Sequence, residues 1–183
     1  RIDFLQAFIE DCGGREAIKD LTTRDVCNQV IIPATRSQNM SFCELIKSKH
    51  PSHPAIQPAT IYVSHLWDYN FLSVIDTLSM MRPDHVVWMD VFALNHHRNG
   101  GSNSTSVQSL QALDAMVQHQ VGSMAFIFSP DQNFQLLSRT WNLFEFYLAW
   151  KHRKSISFLS PDFLQTVEYA ANNNILQHFL QLK

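Results

Sequence analysis

Between residues 59 and 160, short apolar runs alternate with longer stretches of helical period. Ala59-Thr60-Ile61-Tyr62-Val63-Ser64 is short and β-branched, the mark of a buried strand. Phe71, Leu72, Val74, Ile75, Leu78 and Met81 then recur at helical spacing until Pro83 stops them. Val86-Val87-Trp88-Met89-Asp90-Val91 predicts a second strand and residues 107–121 a second helix. Met124-Ala125-Phe126-Ile127-Phe128 predicts a third strand, residues 139–151 a third helix, and Ser155-Ile156-Ser157-Phe158-Leu159 a fourth strand. A final helix is read after Pro161, and no clear fifth strand is read before Lys183.

The pattern before residue 58 is different. Ile2, Phe4, Leu5, Phe8 and Ile9 have helical spacing, and Gly13-Gly14 ends that helix. Thr22-Thr23-Arg24-Asp25 reads as a cap before a short apolar segment, Val26 to Ile32, closed by Pro33. A second short helix is read from Ser41 to Lys49, and Pro51, Pro54 and Pro58 mark a linker. The change of pattern divides the chain into a helical N-terminal extension with its linker, residues 1–57, and an α/β domain, residues 58–183.

Strands buried on both faces and alternating with helices predict a doubly wound parallel sheet of flavodoxin-like order, with residues 1–57 packed against it. Ligands of such sheets bind beyond the carboxyl ends of the strands. Those ends are Ser64-His65-Leu66-Trp67-Asp68, Asp90-Val91-Phe92-Ala93-Leu94-Asn95 and Ser129-Pro130-Asp131-Gln132.

Composition adds limits. Apolar residues make up 45% of the 183 and charged residues 16%, which argues against disorder and for a surface partly covered by a partner or by the rest of a longer chain. The chain begins at Arg1 rather than Met and is read as a domain excised from a longer protein. A net charge of −2 gives no reason to expect nucleic-acid binding, and the short basic run Lys151-His152-Arg153-Lys154 sits where cations favour a helix end. Cys12, Cys27 and Cys43 are odd in number and lack metal-type spacing, which fits free thiols in the cytoplasm. No apolar run reaches the ~20 residues of a membrane span.

Several familiar devices are absent: a dinucleotide GxGxxG after a strand, a phosphate-binding GxxxxGK[ST] loop, and a GxSxG elbow. His96-His97 are adjacent, a poor spacing for one metal, and no metal site is read. The third helix carries more. Around Glu145 nearly every neighbour is apolar, a costly place for a carboxylate unless it is paired or poised at a cleft. Trp141 lies four residues earlier and shares its face. A flat ring beside a partly desolvated carboxylate suits a planar, cationic ligand. The plain alternative makes Trp141 core and pairs Glu145 with Arg139 or a lysine on the surface.

The order of motifs resembles the TIR (Toll/interleukin-receptor) family over roughly residues 59–160. Ile61-Tyr62-Val63-Ser64 looks like its first box, and Met89-Asp90 with Phe92-Ala93-Leu94-Asn95 sits where the family has a mobile loop. Ala125-Phe126-Ile127-Phe128-Ser129-Pro130, followed by Ser138-Arg139-Thr140-Trp141-Asn142-Leu143-Phe144-Glu145, looks like its strand, Ser and Trp-x-x-x-Glu helix. His65-x-Trp67 and Asn95-His96-His97 are closer to a divergent TIR-like subgroup of large multidomain proteins, and residues 1–57 have no counterpart in the standard domain.

The resemblance to the enzymatic branch of that family implies an NAD glycohydrolase, activated by self-association, with NAD as substrate and no cofactor. It implies Glu145 as the catalytic residue, opening onto a cleft, and Trp141 as an aromatic wall. Ser64, His65 and Trp67 would line the nicotinamide side, and Asp90 and Phe92 the ribose and adenine side. One carboxylate suffices because nicotinamide leaves as a neutral molecule and needs no general acid, unlike an ordinary glycoside. Two rival readings remain open at this point: a non-enzymatic TIR-type interaction module, and a nucleotide-binding sensor without turnover.

Overall fold

The computed structural model describes residues 1–97, 107–128, 139–160 and 163–167. A five-stranded sheet forms its centre: β1 (Ile61–Ser64), β2 (Val87–Trp88), β3 (Ser123–Ile127), β4 (Ser155–Ser160) and β5 (Phe163–Val167). The spatial order is β2-β1-β3-β4-β5, the flavodoxin-like order. β2, β1, β3 and β4 are mutually parallel, and β5 closes the edge antiparallel to β4.

Parallel strands need crossovers, and helices supply them. α6 (Phe71–Leu78) links β1 to β2, α7 (Asp90–Ala93) and α8 (Val107–His119) link β2 to β3, and α9 (Thr140–Lys151) links β3 to β4. Asn70 caps α6 by accepting from the Ser73 amide at 3.0 Å. The basic run at the end of α9 is engaged with α8. Lys151 Nζ and His152 Nε2 both hold the Asp114 carboxylate, and Lys154 Nζ donates to the Gln118 carbonyl.

Residues 1–57 are mainly helical, with one isolated antiparallel bridge from Thr22 to Asn70. They form α1 (Ile2–Asp11), α2 (Arg15–Ile18), a continuous segment comprising α3 (Thr23–Val26), a π turn (Cys27–Ile31) and α4 (Ile32–Thr35), and then α5 (Phe42–Lys49). Both Thr22 with Asp25 and Ser41 with Glu44 form reciprocal capping boxes. Gly13 and Gly14 end α1 at φ 96° and 84°, a region costly for any residue with a Cβ.

Three local readings change. Pro33 does not close the segment before it, because the helix widens to a π turn just ahead of the ring. The Ile32 amide reaches back five residues to the Cys27 carbonyl, which accommodates a residue that cannot join the usual ladder. The second strand is only Val87–Trp88, since Asp90 starts α7 and accepts from the Val91 amide at 2.7 Å. Residues 163–167 form β5 where a helix was read after Pro161, because β4 offers them a free edge.

The N-terminal helices bury Leu5, Phe8, Ile9, Ile18, Val26 and Ile31 in the same apolar cluster as the strand residues. Phe8 meets Phe42, Phe71 and Phe92 edge-on at centroid distances of 5.4, 5.9 and 5.0 Å. Residues 21–24 also run along the loop after β1: the Thr23 amide donates to Tyr69 O, Arg24 to Trp67 O, and Phe71 to Leu21 O. Cys12, Cys27 and Cys43 are free thiols. Among the described residues, no helix is long and apolar enough to cross a membrane.

Candidate active site

Strand pleating puts alternate residues on one face. Tyr62 and Ser64 of β1 therefore point the same way, toward α9, and both meet Glu145. The Tyr62 hydroxyl donates to Glu145 Oε1 and the Ser64 hydroxyl to Oε2, each at 2.5 Å. Asn142, one helical turn before Glu145, donates from Nδ2 to Glu145 Oε2 at 3.1 Å and to Ser64 Oγ at 3.0 Å. Glu145 is 3% exposed, Asn142 4%, Ser64 1% and Tyr62 2%, so the cluster is sealed where a cleft was expected.

Among the described residues no cation pairs with Glu145. Arg139, the plain alternative's partner, is exposed at the start of α9. Burial therefore dominates and raises the Glu145 carboxyl to about 7. The hydrogen bonds from Ser64 and Tyr62 oppose that rise, the Asp90 charge adds to it, and the Asn142 amide opposes it. Burial, and then the neighbouring Glu145 charge, hold the Tyr62 phenol well above its ordinary value. Trp88 stacks on Tyr62 at 4.8 Å and 15°.

A carboxyl raised in the folded state carries a sign. Between about 4.5 and about 7 the folded protein keeps a proton that the unfolded chain has lost. The stabilising contribution is complete below that window, declines through it, and is absent above it. We expect unfolding free energy, measured as the difference between the parent and Glu145→Gln, to fall by on the order of 3 kcal/mol as pH rises across the window. A flat difference curve in urea titrations at pH 5 to 8 would remove Glu145 as the titrating group.

The remaining sequence-derived residues divide. Trp67 and Asp90 come together: Trp67 Nε1 donates to Asp90 Oδ2 at 2.7 Å, and the Arg24 guanidinium lies 5.9 Å over the Trp67 ring while bridging Asp68. His65 follows Ser64 but makes no contact with the carboxylate in the hydrogen-bond network. It is 6% exposed, its Nε2 has no partner, and burial lowers its pKa. Phe92 is not brought to Glu145; it belongs to the Phe8 cluster because α7 turns it into the core. Trp141 is partly buried beside Phe144 and makes no hydrogen bond to Glu145.

His96 bonds the Val91 carbonyl and His97 the Thr35 hydroxyl, so the adjacent histidines diverge. Among the described residues no group of His, Cys, Asp or Glu could hold a metal ion. The Ser129–Gln132 loop lies outside the described residues, apart from its approach at Phe128. Tyr62 and Asn142 were missed in the sequence. The spacing rule that joins Trp141 to Glu145 joins Asn142 equally, and strand alternation joins Tyr62 to Ser64.

Chemically, the cluster is a carboxylate held by three neutral donors at the carboxyl end of β1. It balances near neutral pH between a proton-holding and a charged form. Comparison with known protein families, curated proteins and solved structures finds no match to this chain.

Proposed function

We propose that the chain is an NAD glycohydrolase of TIR type, activated by self-association, with Glu145 as its catalytic carboxylate. The observation that carries this reading is the neutral cage of Tyr62, Ser64 and Asn142 around a buried carboxylate that meets no cation among the described residues, at the strand end where doubly wound sheets bind ligands. A purely structural glutamate gains nothing from that arrangement that an apolar residue would not give more cheaply.

The reaction breaks the bond between ribose C1′ and the pyridinium nitrogen. The electron pair stays on the nitrogen, so nicotinamide leaves neutral and its site needs no acid. Ionised Glu145 complements the positive charge developing on the ribose. Water then forms the new C1′–O bond and gives up a proton, which the carboxylate can take. Tyr62, Ser64 and Asn142 fix the orientation of the carboxylate beforehand, and Trp141 offers a ring to the planar nicotinamide. Substrate reaches this carboxylate only when the groups sealing it move.

Following nicotinamide release from NAD tests the reading. Activity should rise through about pH 7, as Glu145 loses its proton, and level off above it. A rate that falls as pH rises through that point would exclude ionised Glu145 as the working form.

One observation favours a second reading, the interaction module. Leu143, Tyr147 and Trp150 follow helical spacing on the outer face of α9 and are 48%, 48% and 49% exposed. On this reading Tyr147→Asp with Trp150→Asp should weaken self-association at least about tenfold in sedimentation experiments. Unchanged assembly in the double variant would rule this face out as the interface.

A further inference from the structure

A cavity of about 330 Å³ lies between the N-terminal helices and the edge of the sheet, and Glu145 is not among the residues that line it. Phe4 of α1, Phe42 of α5, Ile56 of the linker and residues Val87 to Met89 line it. β2 is the outermost strand on this side. The Ile61 amide donates to Val86 O while Ile61 pairs in register with Val87. In a parallel ladder that pattern turns the backbone groups of Val86 and Trp88 toward β1 and those of Val87 outward. Met89 stays extended at φ −124° and ψ 128°, so its amide points the same way. The edge thus presents a row of Val87 N–H, Val87 C=O and Met89 N–H.

Ionisable side chains at the wall are already engaged. Glu44 accepts from the Ser41 amide and hydroxyl, and Arg1 bridges Asp3. Burial pushes the Cys43 thiol up to about 11, so it carries no charge at neutral pH. Aromatic faces, a donor–acceptor row and engaged charges select a neutral, flat molecule whose polar atoms lie along one edge. The volume, near the lower end for small-molecule pockets, suits a nucleoside rather than a dinucleotide.

We propose that this cavity binds a neutral nitrogen heteroaromatic bearing an exocyclic amine beside a ring nitrogen, the hydrogen-bonding edge of adenine. The amine donates to Val87 C=O and the ring nitrogen accepts from Met89 N–H. Phe4, Phe42 and Trp88 supply the apolar surroundings. The assignment uses neither Glu145 nor its cage, although Phe92, which the TIR resemblance puts on the adenine side, also lines the cavity and Trp88 stacks on Tyr62.

Titrating ¹⁵N-labelled protein with adenosine tests it. The amide resonances of Val87 and Met89 should shift most, and N6,N6-dimethyladenosine, which lacks the donor, should bind at least about tenfold more weakly. Ala93→Phe, which adds a ring at the cavity wall, should abolish binding with an unchanged circular dichroism spectrum. Equal affinity for the dimethyl compound overturns the proposal even if that variant fails to fold. So do shifts confined to Ser64 and Asn142, which would put the base at the Glu145 cluster, or an edge that responds only to an extended peptide.

Discussion

Glu145→Gln should lower nicotinamide release from NAD by about 100- to 1000-fold in a self-associated sample, the usual loss when a preorganised electrostatic partner of the transition state is removed. The glutamine keeps the shape of the side chain, and the hydroxyls of Tyr62 and Ser64 can rotate to accept from its amide as readily as they donate to a carboxylate. The fold should therefore survive while the charge disappears. Glu145→Ala is the poorer test. It orphans the Tyr62, Ser64 and Asn142 donors inside the protein, each at ~1–3 kcal/mol, and confuses lost chemistry with lost stability. A Gln variant that retains more than about a tenth of the activity points to a carboxyl that orients a ribose hydroxyl. A Gln variant that turns over NAD at the parent rate ends the enzymatic reading and leaves the interaction module.

Phe8→Ala should cost about 3–5 kcal/mol of unfolding free energy, with one cooperative transition shifted to lower urea. Phe8 is 2% exposed and touches rings from α5, α6 and α7, so its removal opens a cavity that three elements border and none can fill alone. Edge-on ring contacts add to the loss. The variant also probes organisation, because Phe8 lies in residues 1–57, while Phe71 and Phe92 belong to the α/β region. A shared core predicts that both regions melt together. Two transitions, or a loss below about 1 kcal/mol, would show that the helical extension folds as a separate unit.

Local chemistry made much of the fold legible. β-branched runs such as Ile61-Tyr62-Val63 and the period of Phe71 to Leu78 specify elements through contacts a few residues apart, and the alternation of the two restricts topology to a parallel sheet. Glu145 stood out for the same reason: a lone carboxylate among apolar neighbours has few stable fates. Pro33 and β5 misled because each depended on an accommodation elsewhere, a widened helical turn in one case and an unfilled strand edge in the other.

The sequence by itself determined the order of the four parallel strands and their helices and singled out Glu145 as a carboxylate among apolar neighbours, because periodicity and desolvation act on the chain locally; that Glu145 is sealed rather than open to a cleft was decided by the tertiary structure. Which groups surround that carboxylate was decided only in three dimensions. Ser64 joins it and His65 does not, since one step along a pleated strand reverses the face. Trp67 engages Asp90, 23 positions further along the chain, and Phe92 is drawn into the core with Phe8, 84 positions before it; over such distances only tertiary packing carries information.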